Sequence, residues 1–240
     1  YAYGHQCCDF SDGTLVCLTP GESISMKENN KEFPSKGWIL AFHPDLICGT
    51  PLGLNIHNYT FFSYCPEEAL HLSLREKQII LEFLERIRQE LERCIDRHSK
   101  KIISKYIELL LDYCTRFYER QFITRSEVNK KVFREFNHLL DNHFNVKVSL
   151  STDVLSDEYC ANLLHLSPAY FNDLLKYEIG KEFKEYIQFK RFEIAKGWLV
   201  NTDKTLGQIA QELGFSNSQY FSRLFKKITG CSPNEFRMPN

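Results

Sequence analysis

The sequence YFNDLLKYEIG at residues 170–180 returns as YFSRLFKKITG at residues 220–230. The similarity continues past each glycine, because Glu185 corresponds to Glu235 at the same offset. Such an internal repeat defines the architecture, and each copy predicts a short helix, a tight turn and a second helix. Two such units in tandem can place two helices in successive major grooves on one face of DNA.

A serine followed by proline marks the start of two predicted helices. In Ser167-Pro168 and in Ser232-Pro233 the serine can cap the helix, and the proline takes the first helical position, where a backbone N–H has no partner within the helix. Residues 182–199 predict one helix of about 27 Å, long enough to carry the chain between sites one DNA turn apart.

Glycines mark the predicted turns and helix ends. Gly180 and Gly230 each follow a helix and suit the left-handed conformation common at a helix C-terminus. Gly214 permits a positive φ in the turn of the second unit. The first unit has His165 at this place, and we expect His165 to adopt a positive φ as well.

The second helix of the second unit predicts a surface that reads DNA bases. Its candidates for base contacts are Ser218, Gln219, Ser222 and Arg223. Arg can bond bidentately to guanine, Gln to adenine, and Ser to either base. Lys226 and Lys227 follow one turn later and are candidates for phosphate contacts.

The corresponding helix of the first unit offers a weaker set of candidates. Its exposed positions are predicted to be Ala169, Asn172, Asp173 and Lys176. Asn172 can read adenine, and Asp173 can accept a hydrogen bond from cytosine but repels phosphate. Lys176 is a candidate phosphate contact, and we expect this unit to bind DNA more weakly than the second.

The segment TLGQIAQELGFSNSQYFSRLFKKITGCSPNEFR at residues 205–237 resembles the C-terminal signature of the AraC/XylS family of bacterial transcription regulators. The resemblance covers about residues 151–237. It implies two helix-turn-helix subdomains joined by a linker helix at about residues 182–200, and base contacts at the positions named above. Family members often carry a basic or longer residue at the places of Ala169 and Asp173. Lys190 and Arg191 lie on the linker helix as candidate phosphate contacts or as part of a solvated face.

Residues 1–64 predict strands and turns. Short apolar runs at 14–18, 38–42 and 59–64 are separated by glycine and proline, which suggests a small antiparallel sheet or part of a barrel, and we expect further strands to precede residue 1. This part resembles, more loosely, the end of the cupin-like sensor barrel of such regulators. The histidines lack the His-x-His spacing of a cupin metal site, so we predict no metal and no cofactor.

The middle of the chain predicts three helices. Ser73-x-x-Glu76 is a capping box, and a second helix at 101–118 is apolar around more than half its girth. That breadth fits either a buried helix within one subunit or a dimer helix. Thr124-x-x-Glu127 predicts the start of a third helix that ends near residue 143, and residues 145–153 predict a linker.

Composition excludes several classes of protein. The 240 residues are 43% hydrophobic and 25% charged with a net charge of -1, which argues against disorder and against a membrane protein. The charge is -5 over residues 1–70 (3 basic against 8 acidic), +4 over 71–149 (16 against 12) and zero over 150–240 (11 against 11). The nine cysteines are scattered without a C-x-x-C motif, so most are predicted to be small apolar fillers in a reduced compartment.

We therefore predict a mostly α protein with three regions: a partial cupin-like β segment at 1–70, a helical dimerisation region at 71–148 and a tandem helix-turn-helix DNA-binding domain at 149–240. The expected function is a cytoplasmic transcription regulator, an activator by resemblance, that binds double-stranded DNA as a homodimer and contacts RNA polymerase. The resemblance leaves a small-molecule effector open. The alternatives are a protein-interaction module with degraded DNA binding and a cupin-type enzyme, although no catalytic constellation supports an enzyme.

Overall fold

The computed structural model describes residues 12–22, 37–145 and 155–238. The chain divides into two compact units, residues 1–129 and residues 130–240. The sequence predicts a boundary near residue 148 instead, so the observed division places most of the third predicted helix with the C-terminal unit.

Two short strands form the sheet of the first unit. Strand β1 (Gly13–Leu15) pairs antiparallel with β2 (Leu70–Leu72), with Thr14 opposite His71. Leu70 and Leu72 are buried in the core of the unit. The predicted strand at 14–18 is thus confirmed only at its first residues.

The other two strands predicted in this region are wrong. Residues 38–42 have no regular structure, and residues 59–64 contain a 3₁₀ helix at Thr60–Ser63. Proline is one physical reason for helices here, because it favours the first helical position. Helices α1 (Pro44–Ile47) and α2 (Pro51–Asn55) begin in this way, with two 3₁₀ turns following at Ile56–Asn58 and Pro66–Glu68.

Helices α3 (Leu74–Leu91) and α4 (Ser99–Thr124) pack against each other. The predicted capping box at the start of α3 is confirmed, since Ser73 Oγ accepts from Glu76 N–H and the Glu76 carboxylate accepts from Ser73 N–H. The same carboxylate accepts bonds from Arg120 Nε at 3.0 Å and Nη2 at 2.8 Å. One acidic side chain therefore caps α3 and ties it to α4.

Most of the broad apolar surface of α4 is buried within the chain. Side chains on different faces of the helix, including Ile103, Leu110, Leu111 and Phe117, are buried in the core of the first unit. The helix contacts α3, β2, α1 and α2. Packing inside one subunit thus accounts for most of the apolar breadth of α4, while Ile102, Leu109 and Ile123 stay exposed.

The predicted start of the third helix is wrong. Thr124 is the last residue of α4, and its hydroxyl donates to the carbonyl of Gln121 at 3.1 Å instead of capping a new helix. Helix α5 (Ser126–Asn145) begins two residues later and ends close to the predicted end at His143. Most of the predicted linker at 145–153 lies outside the described residues.

Six further helices build the C-terminal unit as predicted from the repeat. They are α6 (Asp157–Leu163), α7 (Pro168–Ile179), α8 (Phe183–Asn201), α9 (Leu206–Glu212), α10 (Ser218–Thr229) and α11 (Pro233–Arg237). Ser167 and Ser232 cap α7 and α11, and Gly180 and Gly230 adopt the left-handed conformation after α7 and α10. These four predictions are confirmed.

Helix α8 contributes to two separate cores. Phe183 and Tyr186 pack with α5, α6 and α7, and Phe192 and Leu199 pack with α9 and α10. Phe144 of α5 touches both cores. The two helix-turn-helix units therefore share one linker helix and one flanking helix.

Helix α5 belongs to the first of these cores. The ring of Phe136 is fully buried and lies 5.0 Å from the ring of Phe171, edge to face. On the same helix, Asn137 Oδ1 accepts a hydrogen bond from the hydroxyl of Tyr186 at 2.6 Å. The packing of α7 and α8 thus depends on a helix that precedes the repeat.

The cysteines differ from the prediction that most are buried fillers. In the described part of the chain, Cys114 and Cys160 are buried, whereas Cys48, Cys65 and Cys94 are exposed. Burial raises the pKa of the Cys160 thiol to about 11. None of the described helices combines the length and the apolar composition that crossing a membrane requires.

We expect His165→Gly to stabilise the protein. His165 has φ 56°, the only positive φ among the described residues other than glycine, and this conformation costs an L-residue roughly 1–2 kcal/mol. Because glycine avoids that cost but loses more chain entropy on folding, the net gain in the free energy of unfolding should be about 1 kcal/mol. Urea unfolding measures it. His165→Ala keeps the Cβ atom and should give no such gain. An equal gain for both variants would show that the positive φ of His165 does not strain the backbone.

We expect Phe136→Ala to destabilise the C-terminal unit by about 3–5 kcal/mol, because it leaves a cavity between α5 and α7. The free energy of unfolding, followed by tryptophan fluorescence of Trp198, measures this loss. His138→Ala on the exposed side of α5 is the control and should change stability by less than about 0.5 kcal/mol. Equal effects of the two variants would show that α5 is not part of this core.

Candidate nucleic-acid interface

The turns of the two helix-turn-helix units share the backbone hydrogen bonds that define them. His165 N–H donates to the Asn162 carbonyl at 3.1 Å, and Gly214 N–H donates to the Gln211 carbonyl at 3.0 Å. In each turn the next N–H reaches five residues back, to Ala161 or to Ala210. This pattern is a Schellman motif, which requires a positive φ. The predicted positive φ of both His165 (56°) and Gly214 (75°) is confirmed.

Helix α10 is held by its apolar side. Phe221 and Phe225 are fully buried, with ring centroids 6.1 and 6.0 Å from that of Phe192 on α8. Asn217 caps the helix, because its Oδ1 accepts from Tyr220 N–H at 2.7 Å. The rotation of α10 about its own axis is thereby fixed, and with it the set of side chains that faces outward.

The outward side of α10 carries the predicted base-contacting residues. Gln219 and Arg223 are exposed, and Ser218 and Ser222 are half-buried. Within the described residues none of the four has a hydrogen-bond or ion-pair partner, although the Arg223 guanidinium lies 5.5 Å from the Tyr220 ring. Their donors and acceptors are therefore available to a ligand. The predicted phosphate contacts, Lys226 and Lys227, are exposed in the last turn of the helix.

The outward side of α7 is more occupied. Ala169, Asn172 and Asp173 are half-buried, and Lys176 is exposed. The Asn172 amide donates to Asp157 Oδ2 at 2.9 Å and to the Pro168 carbonyl at 3.0 Å. The residue type predicted from the sequence is in place, but its two N–H groups are already in use.

The repeat shows how far the two faces have diverged. At an offset of 50 residues, Ala169 corresponds to Gln219, Asn172 to Ser222, Asp173 to Arg223, Lys176 to Lys226 and Tyr177 to Lys227. These five positions sum to a charge of +3 on α10 and zero on α7, with Arg and Lys counted as +1 and Asp as -1. Since phosphate contacts depend on cations, the α10 face is the better suited to a nucleic acid.

The two basic residues of the linker helix differ in environment. Lys190 Nζ lies 5.8 Å from the centre of the Tyr186 ring, and the Arg191 guanidinium lies 5.9 Å from that of Phe215 in the second turn. Arg191 Nε is buried without a hydrogen-bond partner, and burial lowers the pKa of this side chain. Arg191 thus packs against the turn that precedes α10, and its predicted phosphate contact stays a prediction.

Two structural residues behind the interface were not singled out from the sequence. Arg237 Nε donates to the Leu199 carbonyl at 3.2 Å and so ties the last helix to the end of α8. Lys204 Nζ lies 3.9 Å from the Trp198 ring and pairs with Glu212 of α9. Arg237 is the last residue of the segment that resembles the family signature, and this is the sequence feature that could have drawn attention to it.

Two of the three histidines considered for a cupin-type metal site lie in the described part of the chain. His43 Nδ1 accepts from Asp45 N–H at 3.2 Å and is exposed, and His57 is exposed, while His5 lies outside the described residues. In the described ranges no group of three or more His, Cys, Asp or Glu side chains is arranged to hold a metal ion.

Comparison with known proteins identifies the repeat. A helix-turn-helix domain family matches residues 160–238. The arabinose operon regulatory protein of Salmonella typhimurium is 32% identical over 101 residues, 42% of this chain and 32% of that protein. Residues 160–238 form an AraC-type helix-turn-helix domain. The predicted fold of this region is confirmed.

The relatives differ in how much of the chain they match. The uncharacterized HTH-type transcriptional regulator YijO of Escherichia coli is 24% identical over 225 residues, 94% of this chain and 76% of its own length. The C-terminal domain of AraT, a response regulator from Geobacillus stearothermophilus, is 33% identical, with 44% of this chain and 83% of that one covered and a TM-score of 0.38. The uncharacterized HTH-type transcriptional regulator YtdP of Bacillus subtilis is 33% identical over 46% of this chain, which spans 14% of YtdP.

We expect acid to destabilise the C-terminal unit through His143, which lies on α5. Burial, and then the nearby charge of Arg191, lower the pKa of His143 below its ordinary value of 6.5. The unfolded chain therefore binds a proton more readily, so stability falls as the pH drops below about 6.5. His143→Gln should lose less stability than the parent between about pH 7.5 and pH 5.5, measured by urea unfolding. His138→Gln on the exposed side of the same helix is the control, and an equal effect of both changes would contradict the assignment.

Proposed function

We propose that the protein is a sequence-specific DNA-binding transcription regulator that reads bases mainly with α10. The observation that supports this most is the free outward set Ser218, Gln219, Ser222 and Arg223 on a helix whose rotation is fixed by Phe221 and Phe225. Each of the four side chains can bond to base edges, and the AraC-type domain supplies the helix-turn-helix that presents them.

The exposed lysines of α10 and basic residues of α7 and α8 would contact the phosphate backbone of the DNA. Lys226 and Lys227 lie one turn beyond Arg223, so they can contact the phosphates of a DNA strand when Arg223 enters the major groove. Lys176 and Lys190 are proposed as further phosphate contacts, and Arg191 as a weaker one because its guanidinium packs on Phe215.

Other parts of the function are proposals that follow the resemblance. They comprise activation, contact with RNA polymerase, action in the cytoplasm of a bacterium, a small-molecule effector and a homodimer. The relatives are transcriptional regulators, which favours a non-enzymatic role. The homodimer stays a prediction, and the breadth of α4 lends it less support than the sequence did, because most of that surface is buried within one subunit while Ile102, Leu109 and Ile123 stay exposed.

Selection of bound duplexes from a random-sequence pool tests the proposed function. We expect a preferred sequence whose affinity falls steeply as salt rises, because counterions are released when lysines and arginines meet phosphates. A chain that enriches no sequence, or whose DNA binding is insensitive to salt, would instead be a protein-interaction module that has lost DNA binding.

Two exposed cations of α10 form a matched pair in this test. Arg223→Ala should weaken binding to the selected duplex by about 1–3 kcal/mol and relax the preference at one base pair. Lys226→Ala should weaken all duplexes alike and reduce the salt slope by about one. A sequence-selective loss in Lys226→Ala, or a uniform loss in Arg223→Ala, would contradict the roles given to these side chains.

A further inference from the structure

We propose that Asp157 holds Asn172 away from DNA and so silences base reading by the first helix-turn-helix unit. This inference rests on the proposed function. Its basis is the pair of hydrogen bonds that the Asn172 amide makes within its own unit, to Asp157 Oδ2 at 2.9 Å and to the Pro168 carbonyl at 3.0 Å. Asp157 is the first residue of α6, and Asn172 lies on the outward side of α7.

The chemistry of adenine recognition explains why these bonds matter. An asparagine reads adenine with two bonds at once, because its NH₂ group donates to N7 and its carbonyl oxygen accepts from the N6 amino group. The NH₂ group has two hydrogens. Since both are engaged, Asn172 retains an acceptor but no donor for a base. It therefore presents half of the pattern that adenine requires.

Asp157 is also a strong competitor for the amide. A hydrogen bond to a carboxylate is shorter and stronger than one between neutral groups, so adenine N7 does not displace it at equal geometry. Both neighbours of the amide are acceptors, which fixes the NH₂ group toward them and the carbonyl oxygen away.

The second unit provides an internal comparison. At the offset of 49 residues that relates the two turns, Asp157 corresponds to Leu206, which has no acceptor. Ser222, the counterpart of Asn172, accordingly has no hydrogen-bond partner within the described residues. The unit that lacks the carboxylate keeps its reading face free, and the unit that has it does not.

The start of α6 does not depend on Asp157. Ser156 caps the helix, with its Oγ accepting from Tyr159 N–H at 3.0 Å. Asp157→Ala therefore removes the acceptor without removing the cap. Glu158→Ala is the matched control, because this neighbouring carboxylate carries the same charge, is exposed, and makes no hydrogen bond or ion pair within the described residues.

The experiment is a selection from a random-sequence duplex pool with the parent, Asp157→Ala and Glu158→Ala. We expect Asp157→Ala to enrich adenine at one further base pair that the parent does not select, and to bind that duplex about tenfold more tightly than the parent does. Replacing this adenine by 7-deazaadenine, which lacks the N7 acceptor, should remove the gain. Glu158→Ala should raise affinity for all duplexes alike without a new preference.

The double variant Asp157→Ala, Asn172→Ala assigns the effect to Asn172, and we expect it to lose the new preference. A preference that survives in the double variant, or an Asp157→Ala selection equal to that of Glu158→Ala, would overturn the inference. If Asp157→Ala lowers the melting temperature, Asp157→Leu, which installs the residue of the second unit, decides the matter by the same criteria. If the parent selects no duplex, the proposed function itself is wrong. If the parent selects a duplex but the Asp157 variants select the same one without a further preference, only the role of Asp157 is wrong.

Discussion

The C-terminal unit depends on one helix, α8, that packs into two cores. Phe183 and Tyr186 near its start belong to the core of the first helix-turn-helix, and Phe192 and Leu199 near its end belong to that of the second. A helix is stiff over 19 residues, so one element sets both the spacing and the rotation of the two recognition helices. An insertion of one residue in α8 would turn one unit against the other by about 100°.

The two units share their backbone but not their electrostatics. The turns share their defining hydrogen bonds, yet the outward faces differ most at the corresponding positions Asp173 and Arg223, which carry a carboxylate in one unit and a guanidinium in the other. A protein that reads DNA with one unit can still use the other for position, because phosphate contacts orient a domain without specifying sequence. The half-buried Arg191 adds a further asymmetry, since its guanidinium lies beside Phe215 of the second turn.

Features that depend on a few neighbouring residues could be predicted from the sequence. Ser73 and Ser167 cap helices as expected, and His165 adopts the positive φ that its place in the repeat requires. Thr124 has the same capping pattern as Ser73 but ends a helix, because a cap also needs the preceding chain to be non-helical. The local pattern does not contain that information.

Features set by distant contacts could not be predicted in this way. The aromatic segment at 59–64 looks like a strand, but Phe61 is drawn into the core, with its ring 5.4 Å from that of Tyr118. The candidate site shows the same limit, because the residue type of Asn172 is visible in the sequence whereas its engagement by Asp157, 15 residues earlier, is not. Periodicity likewise shows that α4 is widely apolar but not which partners cover it.

The identical turns have a consequence for how such a domain can change over time. Because the turns of the two units share the hydrogen bonds that define them, the outward residues of α7 and α10 can be exchanged position by position at a fixed offset of 50 without rebuilding the scaffold. New operator preferences are then accessible by a few substitutions on one face, while the other unit keeps the protein on its existing promoter. The repeat thus gives the domain a second outward surface whose residues can be substituted while the first surface is kept.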